Sequence, residues 1–318
     1  MWFLFALIAT FGWGFADLFY KKGSDENDRY SHLRTAIWVG LIMGVTALIL
    51  LPFSETAFSV SSLVTNAVKY SPASLSYIIS MVIGYAGLRY LELSIISPIQ
   101  NASGAFSMIA MLLYFVVTGR ITSVSDEYSI LDGAGTFVII VGVVLLAVVE
   151  QRLSKSENPI ESKKYRFGAL ALIFPLLYCI FDTVGTAADG IILDGEKGLG
   201  LGEIDVLILY GLTFFACGII IWLFLLFKEK KPFNPFTKKQ KSNIAASLCE
   251  QFGQIFYVFA MARNPVVAAP MIASYCVISV LLSAVVLHEK MKKSQYISVI
   301  LVIIGIIALG ISEGLAEL

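Results

Sequence analysis

About ten apolar stretches, each of helix-spanning length, follow one another through this 318-residue chain and leave almost no sequence for a soluble domain. A transmembrane helix needs roughly 20 mostly apolar residues. In lipid every backbone N–H and C=O has to be satisfied within its own segment or a closed barrel, so continuous apolar runs of this length form helices. With 58% hydrophobic residues, 14% charged and a mean hydropathy of +0.81, the chain lies outside the range of soluble globular proteins. It reads as an all-α, multi-pass membrane protein, whose function has to sit in the few polar side chains its helices carry.

The expected spans are roughly 2–20, 33–53, 73–91, 95–118, 130–150, 166–188, 204–227, 242–262, 265–287 and 294–312. The stretch 54–72 (SETAFSVSSLVTNAVKYSP) is too polar to span and reads as an interfacial helix or a long loop. The first span starts at Trp2 with no basic segment before it, so it reads as a retained helix, not a cleaved leader. No segment between spans is long enough for a soluble catalytic domain.

Lysine and arginine sort between the two sets of loops. All but four of the 23 follow spans 1, 3, 5, 7 and 9; the exceptions are Lys69, Arg120, Lys197 and Arg263. The positive-inside rule then puts the cation-rich loops, 151–165 and 228–241 among them, in the cytoplasm and both termini outside.

Formal net charge is zero, which gives no basic field for nucleic acid. Cys179, Cys217, Cys249 and Cys276 all fall inside apolar spans and read as packed free thiols. The two histidines, His32 and His288, stand at span ends. No G-x-x-x-x-G-K-[ST] or H-E-x-x-H sequence occurs, so neither ATP use nor zinc hydrolysis is expected, and no cofactor or metal is called for.

The chain repeats itself. Asp132-x-x-Gly135-x-x-Val138-Ile139-x-x-Gly142 in the fifth span matches Gln295-x-x-Ser298-x-x-Leu301-Val302-x-x-Gly305 in the tenth. Trp13 precedes Asp17 by four residues as Tyr178 precedes Asp182, and Pro98 to Ser103 matches Pro270 to Ser274. A duplication of five spans predicts halves at 1–150 and 166–318 joined by a charged linker at 151–165. Because five is odd, the halves insert with opposite orientation. Inverted repeats are the architecture of alternating-access carriers, with the substrate site near the midplane where the halves meet.

These residues also carry a family resemblance. Trp13-Gly14 followed by Lys21 resembles the first-helix signature of the EamA-like branch of the drug/metabolite transporter superfamily. Leu287-His288-Glu289-Lys290-Met291, followed by Gln295, Ser298 and Gly305, resembles that family's junction between helices nine and ten. Tyr85-Ala86-Gly87-Leu88-Arg89-Tyr90 is similar to the end of its third helix. The chain departs from the pattern at Thr118-Gly119-Arg120, where the family usually has a Glu, and at Asp132 and Asp17. The resemblance implies a ten-helix carrier of small metabolites.

A charge at the bilayer centre costs about 2.5–3.5 kcal/mol on insertion scales, so polar groups inside spans need a cavity, a partner or a function. Thr10, Trp13, Asp17 and Lys21 share one face of the first span; Pro175, Tyr178, Asp182 and Thr186 share one of the sixth. The eighth carries Ser247, Glu250, Gln251, Gln254 and Tyr257, and the fourth Gln100, Asn101, Gly104 and Ser107. These faces are expected to converge on one hydrated cavity, with Tyr77 from the third span. Structural roles stand beside each functional one. Asp17 lies one turn from Lys21, so a hydrated helix end or an ion pair with Lys21 would also account for it. Arg89 and Arg263 close their spans and read as snorkelling, and Glu289 as a cap on a packed helix end.

Carriers of phosphorylated substrates gather Lys and Arg in the cavity. Here the deep charges are acidic and interleaved with aromatic rings, a set that suits ammonium groups through cation–π contact and ion pairing. The expected substrate site is Trp13, Asp17, Tyr77, Gln100, Asn101, Tyr178, Asp182, Glu250, Gln254 and Tyr257. The expected partners are the lipid bilayer, a small cationic or zwitterionic molecule and a coupling proton, at the cell membrane. Two other readings stay open: a lipid flippase on the same fold, and an intramembrane enzyme, against which the lack of a nucleophile–His pairing counts.

Overall fold

The computed structural model describes residues 1–25, 27–54, 59–156, 168–195, 198–229, 237, 240–289, 291 and 293–316. Its helices are α1 (Trp2–Gly23), α2 (Ser31–Leu50), α3 (Val60–Gly87), α4 (Leu93–Asn101), α5 (Ser103–Val117), the short α6 (Val124–Glu127) and α7 (Ile130–Ser156). A 3-10 turn at Gly168–Leu172 leads into α8 (Ile173–Ile192), followed by α9 (Glu203–Glu229), α10 (Lys241–Met261), α11 (Pro265–Ala273), α12 (Tyr275–Val286) and α13 (Lys293–Ala316). Nine helical stretches among the described residues are long and apolar enough to cross a membrane.

The one expected span outside these nine is the third, 73–91, which lies in α3, and here the structure corrects the sequence reading. Val60 to Pro72 is neither a loop nor a separate interfacial helix but the first part of one 28-residue helix. Ser59 starts it with a capping box, accepting from Ser62 N while the Ser62 hydroxyl accepts from Ser59 N. Pro72 is carried inside the helix, as membrane helices tolerate. At the other linker, α7 continues to Ser156, so 151–165 begins as helix; residues 157–165, and most of the loop 228–241, lie outside the described residues.

The fourth and ninth spans are each broken once. α4 gives way to α5 at Ala102 and α11 to α12 at Ser274. In each case a proline lies four positions before the break, Pro98 and Pro270.

Helix neighbours follow one pattern. α1 packs on α10 as α8 packs on α3; α1 meets α12 as α8 meets α5; α4 meets α12 as α11 meets α5. α2 pairs with α9 and α7 with α13. These pairs are unchanged when each helix is exchanged for the one five spans along, whereas α7 also packs on α4 and α11 in a way that α13 does not match. Glycines make the closest approaches possible: a Cβ on Gly12 would lie 2.9 Å from Gly253 Cα, and one on Gly135 3.1 Å from Gly305 O. The two glycine-bearing repeats of the sequence therefore face one another across α7 and α13.

α13 also shows the polarity of a lipid-facing helix. Ile300, Ile304, Ile307 and Ile311 recur at helical spacing and are all more than half exposed, whereas Gln295, Ser298 and Ser312 are buried inward.

Charged groups near the span ends find partners inside the protein. Lys21 Nζ donates to Leu88 O and Leu91 O, both at 2.8 Å, which ties α1 to the turn after α3. Arg89 does not snorkel: it is 8% exposed and donates to Asp25 O and Arg29 O. Arg263 bonds Glu203 and Phe259 O. Glu289 accepts from Ser94 N at 3.2 Å, capping the first turn of α4.

Candidate functional site

The inward faces of α1, α3, α4, α5, α8, α9, α10, α11 and α12 line a central cavity of about 50 Å³. All ten residues expected from the sequence line it: Trp13, Asp17, Tyr77, Gln100, Asn101, Tyr178, Asp182, Glu250, Gln254 and Tyr257. Helical periodicity alone brings them together, since each set recurs every three or four positions on its own helix.

Two of the three carboxylates are fixed by the broken fourth span. Ser97, before the break at Ala102, donates to Asp17 Oδ2 at 2.6 Å; Ser103, after it, donates to Asp182 Oδ2 at 2.6 Å. Ser279 of α12 adds a second hydroxyl to Asp17 Oδ2 at 2.7 Å. Asp17 is thus held by two serines from other helices, on the cavity wall and not at a solvated helix end. The third acid, Glu250, is 7% exposed and accepts from Tyr20 OH at 3.3 Å. Its backbone oxygen accepts from Trp13 Nε1 at 3.3 Å, which fixes the indole over α10.

Aromatic rings fill most of the remaining wall. Trp13 lies 5.0 Å from Tyr257 and 5.7 Å, edge-on, from Tyr275. Tyr20 and Tyr85 are 4.6 Å apart. Tyr77 OH bonds both Thr186, at 2.9 Å, and Tyr257. No Lys, Arg or His is among the described lining residues. The cavity therefore presents acids and π faces without a fixed countercharge, an arrangement that favours a cation over an anion.

Sequence reasoning missed several members of this wall. Tyr20, Tyr85, Tyr210 and Tyr275 also line it. Asp189, with no exposed surface, lies beside the wall and accepts from Tyr70 OH at 2.8 Å. A signal for Asp189 was present: it follows Asp182 by seven positions, two helical turns along the same face. In the other direction, Gln251 and Ser247 belong to the polar stripe of α10 without reaching the cavity; Ser247 bonds Asn243 O instead.

These features define a multi-pass helical membrane protein with an acidic, aromatic cavity at its centre. Residues 197–311, which run from just before α9 into α13, match the model of the EamA-like transporter family, part of the drug/metabolite transporter superfamily. No curated protein matches the chain. A crystal structure 12% identical to it covers 100% of this chain and 99% of its own, with a TM-score of 0.62, a likeness of fold alone.

Proposed function

We propose that the protein is a secondary transporter that moves a small cationic or zwitterionic metabolite across the cell membrane by alternating access. The carrying observation is the central cavity, with Asp17, Asp182 and Glu250 on its wall and no basic side chain among its described lining. Amines, quaternary ammonium compounds and amino acids are the chemistry such a wall attracts.

The working parts are two five-span halves, 1–150 and 166–318, inverted relative to one another. The exchangeable pattern of helix neighbours supports this reading. So does the occurrence of Asp17 and Asp182 at corresponding places in α1 and α8, each with an aromatic residue one turn earlier. Rocking of one half against the other would open the cavity to each side in turn. Protons and a cationic substrate compete for the same acids, so binding of one on one side and release of the other couples their fluxes.

A thermal-shift screen of the purified protein against amines, amino acids, sugars and nucleotides tests the substrate class. Stabilisation by amines, followed by their uptake into proteoliposomes, is expected; stabilisation by nucleotides or sugar phosphates alone would overturn the reading.

A further inference from the structure

Within that reading, the cavity says more about its ligand than the sign of the charge. We propose that its substrate is a linear diamine, with one ammonium group at Asp17 and the other at Asp182.

The two acids come from different halves of the chain, yet both are anchored to one broken span. Ser97 and Ser103 hold them at 2.6 Å each, from either side of Ala102. Six positions, at 1.5 Å rise wherever the span is helical, put the two anchors on the order of 9 Å apart along its axis. Each carboxylate lies one hydrogen bond of 2.6 Å from its anchor, so a chain of several methylenes with an ammonium at each end is the length that reaches from one acid to the other. The Ser279 hydroxyl makes the Asp17 end rigid. The geometry thus belongs to the scaffold, which is what preorganised recognition of two charges requires.

Charge balance points the same way. A monoamine reaching one aspartate leaves the other to be neutralised by a proton, whereas a dication pairs both aspartates. An amino acid fares worse, because its carboxylate meets three acids and no described cation on the wall. The methylene chain of a diamine, by contrast, packs on ring faces; Trp13 and Tyr178 each stand one turn before their acid.

The wall also has hydrogen-bonding capacity left over. Gln254, 1% exposed, and Gln100, 5% exposed, line the cavity with amide nitrogens that bond nothing in the protein; as donors these suit water or another acceptor and leave an ammonium group to the amide oxygens. Each amide also carries a carbonyl oxygen able to accept from an ammonium N–H.

The test uses three probes of matched length on the purified full-length protein: putrescine, butylamine and γ-aminobutyrate. Titration calorimetry should find putrescine binding at least about tenfold tighter than butylamine, the ratio that 1.4 kcal/mol supplies, with γ-aminobutyrate weakest. Asp17→Asn and Asp182→Asn should each lower putrescine affinity to that of butylamine, while butylamine still binds both variants through the remaining acid. The wild-type series stands even if a variant does not fold. Butylamine or γ-aminobutyrate binding as tightly as putrescine overturns the diamine and leaves a carrier of simpler cations. Binding of a sugar or nucleotide with no response to any of the three removes the cation carrier as well.

Discussion

Tyr70 and Asp189 stand 119 positions apart, and a 2.8 Å hydrogen bond from the tyrosine hydroxyl to Asp189 Oδ1 joins α3 to α8. Neither side chain has measurable exposure. A buried carboxyl depends on such donors, because an unsatisfied polar group inside the protein costs more than the net worth of the bond it lost.

Tyr70→Phe should therefore destabilise the protein by about 1–3 kcal/mol, the price of leaving a buried acceptor short of its donor. Asp189→Asn keeps an acceptor for Tyr70 and should be milder. Thermal unfolding in detergent compares the two. A Tyr70→Phe variant as stable as wild type would show that the bond contributes nothing.

Packing at the α1–α10 crossing makes a second claim. A Cβ on Gly12 would meet Gly253 Cα at 2.9 Å, backbone against backbone, with no side chain able to give way. Gly12→Ala should cost about 1–3 kcal/mol through overpacking. Gly133 in α7 has open space around its Cβ position, and Gly133→Ala should leave stability unchanged or raise it by up to about 1 kcal/mol. Equal melting temperatures for the two variants would contradict the close approach.

Topology gives the third. The cation bias puts 151–165 and 242 on the cytoplasmic side and the α5–α6 connection outside. In a variant lacking the four native free cysteines, Ser154→Cys and Ser242→Cys should resist a membrane-impermeant maleimide in intact cells, while Ser125→Cys reacts. The reverse pattern would invert the protein.

That these ten residues line one cavity was legible because a polar face on an apolar helix has few alternatives: facing lipid would leave several groups unsatisfied at once. Asp17, Asp182 and Glu250 each stood on such a face, so periodicity was enough to bring them to one cavity. The first part of α3 was not legible. Ser61, Ser62, Thr65, Asn66 and Lys69 lower its average hydropathy, and averaging cannot tell a half-polar helix from a loop. Tyr70 was hidden with it, and so was the partner that gives Asp189 its place. The breaks at Ala102 and Ser274 were also beyond reach: Pro98 and Pro270 were visible, but both sit inside helix, and the chain departs from it four residues later.

Glu250 carries the last prediction. It is set apart from Asp17 and Asp182 by its partner, a tyrosine from α1 where the other two have serines from the broken spans. Glutamine has almost the same shape and still accepts from Tyr20, so Glu250→Gln should fold with a melting temperature close to wild type. It cannot take up or release a proton. If Glu250 exchanges protons for substrate, proteoliposomes bearing Glu250→Gln will lose uptake driven by a pH gradient while substrate binding survives. Two assays on the same preparation separate these properties: calorimetric binding of putrescine and flux under an imposed gradient. Wild-type flux with a wild-type pH dependence in Glu250→Gln would take this acid out of the coupling step and leave it the structural task of holding Tyr20 against α10.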